Sequence, residues 1–304
     1  MTMASELMAD ETQVLEACER LVDLHVWPRR AVEYRGWLDN FDKSDRPLAV
    51  HMLSRFTYFS HELVDQLFLS AFHTLSNVVV PAAPSPQARR EAWQRFVDTV
   101  AVVPVMGERP NPSDSGWGFA RKARQLLGID EKRLMQPVDA LARIVDGLVG
   151  PVMFVDDFVG SGEQFLKTWR RVHHLPSGTA SFASVSARFG ASYCNVFATA
   201  YGRRRLRLQA PSVALASGNV IPFDHNFATL RSAMWPQGSA MEGARLARRV
   251  GRVLGYTGID GGESDWRGFH RLGLGIAMQD SMPDANLPLF FSNSKGWTPL
   301  VRRA

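Results

Sequence analysis

The sequence of 304 residues has only two cysteines, Cys18 and Cys194. Two thiols cannot build a disulfide framework or a thiolate zinc cluster, and reduced cysteines fit the cytoplasm. No apolar run approaches the roughly 20 residues of a membrane-spanning helix. The segment from Met1 to Cys18 is acidic, without the basic start and apolar centre of a secretory signal. We therefore expect a cytoplasmic protein with no membrane partner.

Several well-known motifs are also missing. The chain contains no G-x-x-x-x-G-K, no G-x-G-x-x-G and no G-x-S-x-G, so P-loop, dinucleotide-binding and esterase functions have no motif support. Hydrophobic residues make up 45% and charged residues 21% of the chain, which is ordinary for a globular protein. The net charge of +5 points to polyanionic ligands or partners, or only to a solvated surface.

The first hundred residues are patterned as helices. Apolar residues recur at helical spacing from about Ser5 to Leu24, and Ser44 or Asp45 is placed to cap a second helix that runs towards Leu75. A short helix follows from Gln87 to Val97. We predict a helical region over residues 1–99.

From Val100 the pattern changes to alternating strands and helices, which predicts a parallel sheet in residues 100–304. The run Val152 to Val155 has no polar alternation, as expected for a central strand covered on both faces. Other predicted strands are Val100 to Val105, Cys194 to Thr199, Val213 to Ala216 and Leu272 to Met278. The fold class is therefore α/β with an N-terminal helical subdomain.

The segment with the clearest chemistry follows the apolar run and reads Val155, Asp156, Asp157, Phe158, Val159, Gly160, Ser161, Gly162. The two glycines allow a tight turn in which successive N–H groups face one anion. A helix that begins at Ser161 would add its unpaired first-turn N–H groups and positive dipole end. This arrangement predicts a phosphate site, although a plain turn with Ser161 as helix cap is the simpler reading.

The acid pair predicts what is attached to that phosphate. Asp156 and Asp157 come at the carboxyl end of a strand, where open α/β sheets bind their ligands. Carboxylates accept hydrogen bonds from ribose hydroxyls and stabilise positive charge at the anomeric carbon. A pyrophosphate leaving group would bring Mg²⁺ with its own oxygens and waters, so no direct protein cage is required.

Residues 152–162 resemble the signature of type I phosphoribosyltransferases: four apolar residues, two acids, two further residues and a Ser/Thr/Gly-rich turn that enters a helix. The resemblance implies a phosphoribosyltransferase-like core, catalytic roles for Asp156 and Asp157, and a phosphate loop from Phe158 to Gly162. The chain departs from the family pattern at Glu163 and Gln164. That departure keeps open an alternative, a non-catalytic module that senses nucleotides or binds nucleic acid through the same loop.

A second part of the family's site is the turn after the first core strand, which contacts pyrophosphate. The candidates for that role here are Arg109, Ser115 and Gly116, because arginine and hydroxyl groups hold phosphate oxygens. A long polar surface loop would explain the same residues.

Two further segments, residues 37–41 and the tail from 286 to 300, resemble bacterial phosphoribosyltransferase-like proteins of about 300 residues from conflict systems, some of them beside retron reverse transcriptases. The resemblance implies a toxic effector of antiphage defence, with a reverse transcriptase and its nucleic-acid product as partners. Its ligand would be 5-phosphoribosyl pyrophosphate or a nucleotide.

One predicted helix, from Glu242 to Leu254, has a basic face. Four arginines fall at i, i+3, i+4 and i+7, namely Arg245, Arg248, Arg249 and Arg252. This stripe is a candidate for contact with nucleic acid or an acidic partner, or else an ordinary solvated face. The glycine-rich stretch from Thr257 to Gly268 fits either a mobile lid or a flexible connector.

Overall fold

The structure is a computed structural model that describes residues 8–80, 84–107, 115–148 and 150–302. Within these ranges the chain forms ten α-helices and eight β-strands. In chain order they are α1 (Glu11–Asp23), α2 (Tyr34–Leu38), α3 (Arg46–Arg55), β1 (Thr57–Phe59), α4 (His61–Val79), α5 (Pro86–Thr99), β2 (Ala101–Pro104), α6 (Ser115–Leu127), α7 (Pro137–Val145), β3 (Val152–Val159), α8 (Glu163–Arg170), β4 (His173–Leu175), β5 (Gly178–Ala180), β6 (Ala191–Thr199), α9 (Ala200–Gln209), β7 (Val213–Ile221), α10 (Ala240–Val253) and β8 (Ile276–Met278).

These elements form two compact units. One, which we call the sheet unit, runs from Asp65 to Ile221. The other, which we call the split unit, is made of the described residues up to Val64 and those from Pro222 onward. The predicted division at residue 99 falls between α5 and β2 and stays a prediction about domains. None of the helices in the described ranges is long and apolar enough to cross a membrane.

The sheet unit contains a four-stranded parallel sheet in the order β2-β3-β6-β7. The first five residues of β3 and all nine of β6 are buried, as the lack of polar alternation predicts for strands covered on both faces. Helices connect these parallel strands along the chain. The α/β fold class is therefore confirmed, and the sheet edge that receives the carboxyl ends of β3 and β6 carries the candidate site.

The split unit is held together by an aromatic core from two distant parts of the chain. Trp37 stacks on Phe290 with ring centroids 5.6 Å apart, and Phe41 meets Trp297 edge-on at 5.1 Å. Asn40 exchanges two hydrogen bonds with the backbone of Thr298, at 2.8 and 3.0 Å. The two short segments singled out in the sequence, 37–41 and the tail, thus pack against each other.

Several predicted elements differ from the observed ones. Helix α1 begins at Glu11, after Asp10, whose side chain accepts a hydrogen bond from the N–H of Gln13 at 3.0 Å. The single helix predicted as far as Leu75 is two helices, because residues 57–59 form β1 and pair with β8. The strand predicted over 272–278 is consequently short and lies in this two-stranded sheet of the split unit.

Candidate phosphoribosyl site

The acid pair lies at the carboxyl end of β3, between β2 and β6. The pairing of β3 with β6 continues through the acids, with Asp156 opposite Asn195 and Phe158 opposite Phe197. Asp156 and Asp157 are therefore part of the ordered strand rather than of a loose loop. They occupy the edge at which parallel sheets present groups to ligands.

Asp156 is buried, with 1% of its surface exposed, and both of its carboxyl oxygens are hydrogen-bonded. The hydroxyl of Ser115 donates to one oxygen at 2.9 Å, and the backbone N–H of Asp157 donates to the same oxygen at 3.0 Å. The hydroxyl of Tyr193 donates to the other oxygen at 3.2 Å. Both carboxylate oxygens are thus occupied by groups of the protein.

Burial has the largest effect on the pKa of Asp156, and the hydrogen bonds from Ser115 and the N–H of Asp157 offset it only in part. Burial, followed by the negative charge of Asp157, raises the pKa of Asp156 well above the usual carboxyl range. Burial also raises the pKa of Tyr193, and the charge of Asp156 adds to that effect. Ionising Asp156 is therefore costly, and perturbed carboxyl groups of this kind are concentrated at functional sites.

Asp157 has a different environment. It is only half-buried, and the backbone N–H of Phe158 donates to its carboxylate at 2.8 Å. Asp157 is the more accessible acid of the pair, whereas Asp156 is an internal group. The sequence assigned both acids the same role.

The turn that follows is fixed by its glycines. Gly162 has φ of +75°, which favours glycine, and a Cβ atom there would lie 2.9 Å from the side chain of Leu206. Gly202 on α9 packs so closely that an added Cβ would lie 2.5 Å from the carbonyl oxygen of Gly160. The hydroxyl of Thr199 donates to the same carbonyl. Helix α9 therefore holds the turn in place.

Helix α8 begins at Glu163, two residues later than predicted, with Gly162 as its N-cap. The Ser161 hydroxyl accepts the N–H of Glu163 at 3.3 Å. Ser161 thus satisfies one N–H group at the start of the helix, but the N-cap residue is Gly162 rather than Ser161, which is the cap that the simpler interpretation predicts. An N-cap without a side chain gives an anion open access to first-turn N–H groups, so the capping role does not exclude a phosphate.

The departure from the family pattern at Glu163 has a structural explanation. Its carboxylate forms an ion pair with Arg205 of α9, and Arg205 also donates to the carbonyl oxygen of Ser161 at 3.3 Å. The negative charge is thereby offset by a guanidinium group from a neighbouring helix. The sequence has no local signal for this ion pair, because Arg205 and Glu163 are 42 positions apart.

Two polar residues of the sheet extend the row that starts at Asp156. Asn195 pairs in register with Asp156 on one side and with Ser217 of β7 on the other. The Asn195 side-chain oxygen and the Ser217 hydroxyl are buried without a hydrogen-bond partner. Unpaired buried polar groups are rare and mark places where water or a ligand is expected. Neither residue was singled out from the sequence.

The candidates for the pyrophosphate turn have separate positions. Ser115 begins α6 and uses its hydroxyl on Asp156. Gly116 packs against the end of β2, where an added Cβ would lie 2.4 Å from the carbonyl oxygen of Val105. Arg109 lies outside the described residues. The observed contacts of Ser115 and Gly116 are therefore with the sheet, and their role towards pyrophosphate stays a prediction.

The arginine stripe lies on α10 in the split unit, and the helix is observed as predicted. Arg249 pairs with Asp45 through both carboxylate oxygens at 2.5 Å. Arg245, Arg248 and Arg252 are exposed. The basic face is thus present, while its partner stays a prediction.

Among the described residues, no cluster of three or more His, Cys, Asp or Glu side chains is arranged to hold a metal ion. That magnesium is held through the oxygens of a ligand stays a prediction. The accessible carboxylate of Asp157 suits hydrogen bonds from the waters that magnesium retains. The residues present fit a magnesium–pyrophosphate ligand better than a free ion.

A parallel sheet with an acid pair and a glycine turn at the end of a central strand defines a phosphoribosyltransferase-like protein. The sequence comparison agrees, because residues 34–303 match the family PRTase-CE. The chain therefore belongs to the PRTase-CE family. Comparison with curated proteins finds no match.

Proposed function

We propose that this protein binds 5-phosphoribosyl pyrophosphate, or a nucleotide with the same ribose phosphate, together with Mg²⁺, and that it transfers the phosphoribosyl group. The observation that carries the proposal is the coincidence of three features at the end of β3. These are the two acids, the Gly160 to Gly162 turn braced by α9, and the N-terminus of α8.

Each feature supplies one part of ligand recognition. The N–H groups of the turn and of the first turn of α8 would hold the 5-phosphate. The carboxylate of Asp157 would accept hydrogen bonds from the ribose hydroxyls and stabilise positive charge at the anomeric carbon as pyrophosphate leaves. Asp156 would act through its hydrogen bond to the N–H of Asp157, which fixes the second acid. Magnesium, when bound, would neutralise charge on the departing pyrophosphate.

Calorimetry with 5-phosphoribosyl pyrophosphate, with and without Mg²⁺, tests this function. We expect binding that needs Mg²⁺ and that weakens by at least about 100-fold when Asp156 and Asp157 are both changed to asparagine, because charge-assisted hydrogen bonds are lost. Asp98→Asn, on the exposed end of α5, is the matched control and should bind as the wild type does. Unchanged binding by the double variant would contradict the proposal.

One observation favours a second function, recognition of the ligand without chemistry. Both oxygens of Asp156 are engaged by Ser115, Tyr193 and the backbone, so this acid reaches a substrate only if those bonds break. Product analysis after long incubation with the ligand separates the two functions. Binding with no release of pyrophosphate identifies a sensor, and release that depends on Asp157 identifies a transferase.

For the biological role, we propose an effector of a bacterial antiphage defence system such as a retron, restrained by a reverse transcriptase and its nucleic acid. Support comes from the resemblance of residues 37–41 and the tail to conflict-system proteins, and from the exposed arginines of α10 as a surface for a polyanion. Expression of the chain alone should arrest bacterial growth, whereas the double asparagine variant should not. Normal growth with the wild-type chain would count against an effector.

A further inference from the structure

The split unit contains a cavity of about 800 Å³ that the phosphoribosyl function does not use. Its size falls in the range of small-molecule sites, roughly 300–1,000 Å³. Two sequence features meet in its lining: the glycine-rich stretch contributes Glu263 and Ser264, and the tail contributes residues from Phe291 to Arg302. Both segments therefore line the same cavity.

The wall from the glycine-rich stretch is ordered by hydrogen bonds within the stretch, and its role as a lid or a connector stays a prediction. Asp265, next to the lining residues, is fully buried and accepts hydrogen bonds from the Arg267 guanidinium at 2.8 and 2.9 Å and from the N–H of Gly261 at 2.8 Å. The N–H of Gly258 donates to the carbonyl of Ser264 at 2.8 Å. This wall is a built surface.

The opposite wall is also anchored. The Ser294 hydroxyl donates to the carbonyl of Leu254 at 3.0 Å, and the Lys295 amine donates to that of Val253 at 2.6 Å, so both side chains cap the end of α10. The indole N–H of Trp297 donates to the carbonyl of Leu289 at 2.9 Å. The cavity is consequently preformed, which lowers the entropic cost of binding.

The lining combines aromatic side chains with exposed polar groups. Tyr256 and Trp297 are half-buried, whereas Glu263, Asn293 and Arg302 are exposed. Within the described ranges, Glu263 and Arg302 form no ion pair with each other or with any other residue. The cavity thus offers a hydrogen-bond acceptor, an amide and a donor beside flat apolar rings.

This chemistry selects among ligand classes. A polyphosphate would meet Glu263 and the negative end of the α10 dipole, which disfavours anions. An aliphatic ligand would leave the charged and amide groups without partners. A planar nitrogen heterocycle stacks on aromatic rings and presents donors and acceptors at its edge. We infer that this cavity binds a nucleobase or nucleoside, at a second site separate from the phosphoribosyl loop.

Calorimetry of the full chain with adenosine, guanosine, cytidine and uridine tests the inference. We expect at least one nucleoside to bind, and Glu263→Gln and Arg302→Ala each to weaken it by about tenfold, the loss of one charge-assisted hydrogen bond. Arg231→Ala, an exposed arginine of the same unit outside the cavity lining, is the control and should have no effect. Nucleoside binding should also quench tryptophan fluorescence less in Trp297→Phe.

The second site and the phosphoribosyl site can fail separately. Glu263→Gln and Arg302→Ala should leave binding of 5-phosphoribosyl pyrophosphate unchanged, and the double asparagine variant of the acid pair should leave nucleoside binding unchanged. No binding by any of the four nucleosides, or binding that is lost in the acid-pair variant and insensitive to Glu263→Gln and Arg302→Ala, would overturn the inference.

Discussion

Each unit contains a buried aspartate, and the two have opposite electrostatic surroundings. Asp156 in the sheet unit is 1% exposed and has hydroxyl and backbone donors with a second acid beside it. Asp265 in the split unit is 0% exposed and has the guanidinium of Arg267. Burial alone would raise the pKa of Asp265, but hydrogen bonds from Arg267 and Gly261 lower it below the usual value.

The difference separates a structural carboxylate from one that suits a ligand site. Asp265 is an ion whose partner is supplied by the protein, so its charge stabilises a loop. Asp156 is kept where ionisation is unfavourable, which a fold tolerates when a ligand or a reaction requires it. Four variants or conditions sharpen this comparison.

The largest expected effect is on the stability of the split unit. Asp265→Asn should lower the free energy of unfolding by about 3–5 kcal/mol, because it leaves the Arg267 charge without its buried partner. Urea unfolding followed by circular dichroism measures this. Asp260→Asn, an exposed acid of the same segment, is the control and should cost at most about 1 kcal/mol. Equal stability of the two variants would show that Asp265 has no special structural role.

The next effect concerns the close contact between α9 and the phosphate turn. Gly202→Ala places a Cβ 2.5 Å from the Gly160 carbonyl oxygen, so we expect a loss of about 1–3 kcal/mol from overpacking and weaker ligand binding. Gly118→Ala on α6 has nothing within 4 Å and should be neutral or stabilising by up to about 1 kcal/mol. If Gly202→Ala behaved like Gly118→Ala, α9 would not hold the turn.

The pH dependence of stability should have opposite signs at the two aspartates. The pKa of Asp156 is higher in the folded protein than in the unfolded chain, where it is about 4. The contribution of Asp156 to stability is therefore full below about pH 4 and is lost as the pH rises through the folded pKa. Because the pKa of Asp265 is lowered in the folded protein, its contribution to stability is present above about pH 4 and is lost as the pH falls through the folded pKa. Asp156→Asn should therefore flatten the decline of stability that begins above about pH 4. An unchanged slope would argue against a buried, strained carboxylate.

The smallest effect uses the cysteines as reporters, one in each unit. Burial raises the pKa of Cys18 to about 11, partly offset by Arg35, and burial raises the pKa of Cys194 as well. Both thiols should resist a thiol reagent in the native protein. Asp265→Asn should increase labelling of Cys18 more than that of Cys194. Equal acceleration at both thiols would show that Asp265 does not act on the split unit alone.

The sequence predicted what is local and missed what is distant. The run from Val152 to Gly162 contains its own strand, turn and helix start, so β3 and the turn were predictable, and the heptad-like spacing predicted α10. The strands β1 and β8 pair across more than two hundred positions. No periodicity within three residues reveals such a pairing, and a single long helix was the simpler expectation.

The site was predictable to the same extent. The adjacent acids and glycines predicted the loop. The sequence did not predict that the hydroxyl of Tyr193 contacts Asp156 from a different strand, or that Arg205 contacts Glu163 from a different helix. The contact with Tyr193 makes Asp156 the internal acid of the pair, and the contact with Arg205 offsets the charge of Glu163. Tertiary packing alone brings them together.

The most direct test of the central claim is a crystal structure of the protein with 5-phosphoribosyl pyrophosphate and Mg²⁺. The account predicts that the 5-phosphate lies on the backbone N–H groups from Gly160 to Gly162 and that the ribose hydroxyls contact Asp157. It also predicts that Asp156 keeps its hydrogen bond with Tyr193. A phosphate bound elsewhere, for example by the arginines of α10, or a ribose that does not contact Asp157, would contradict it.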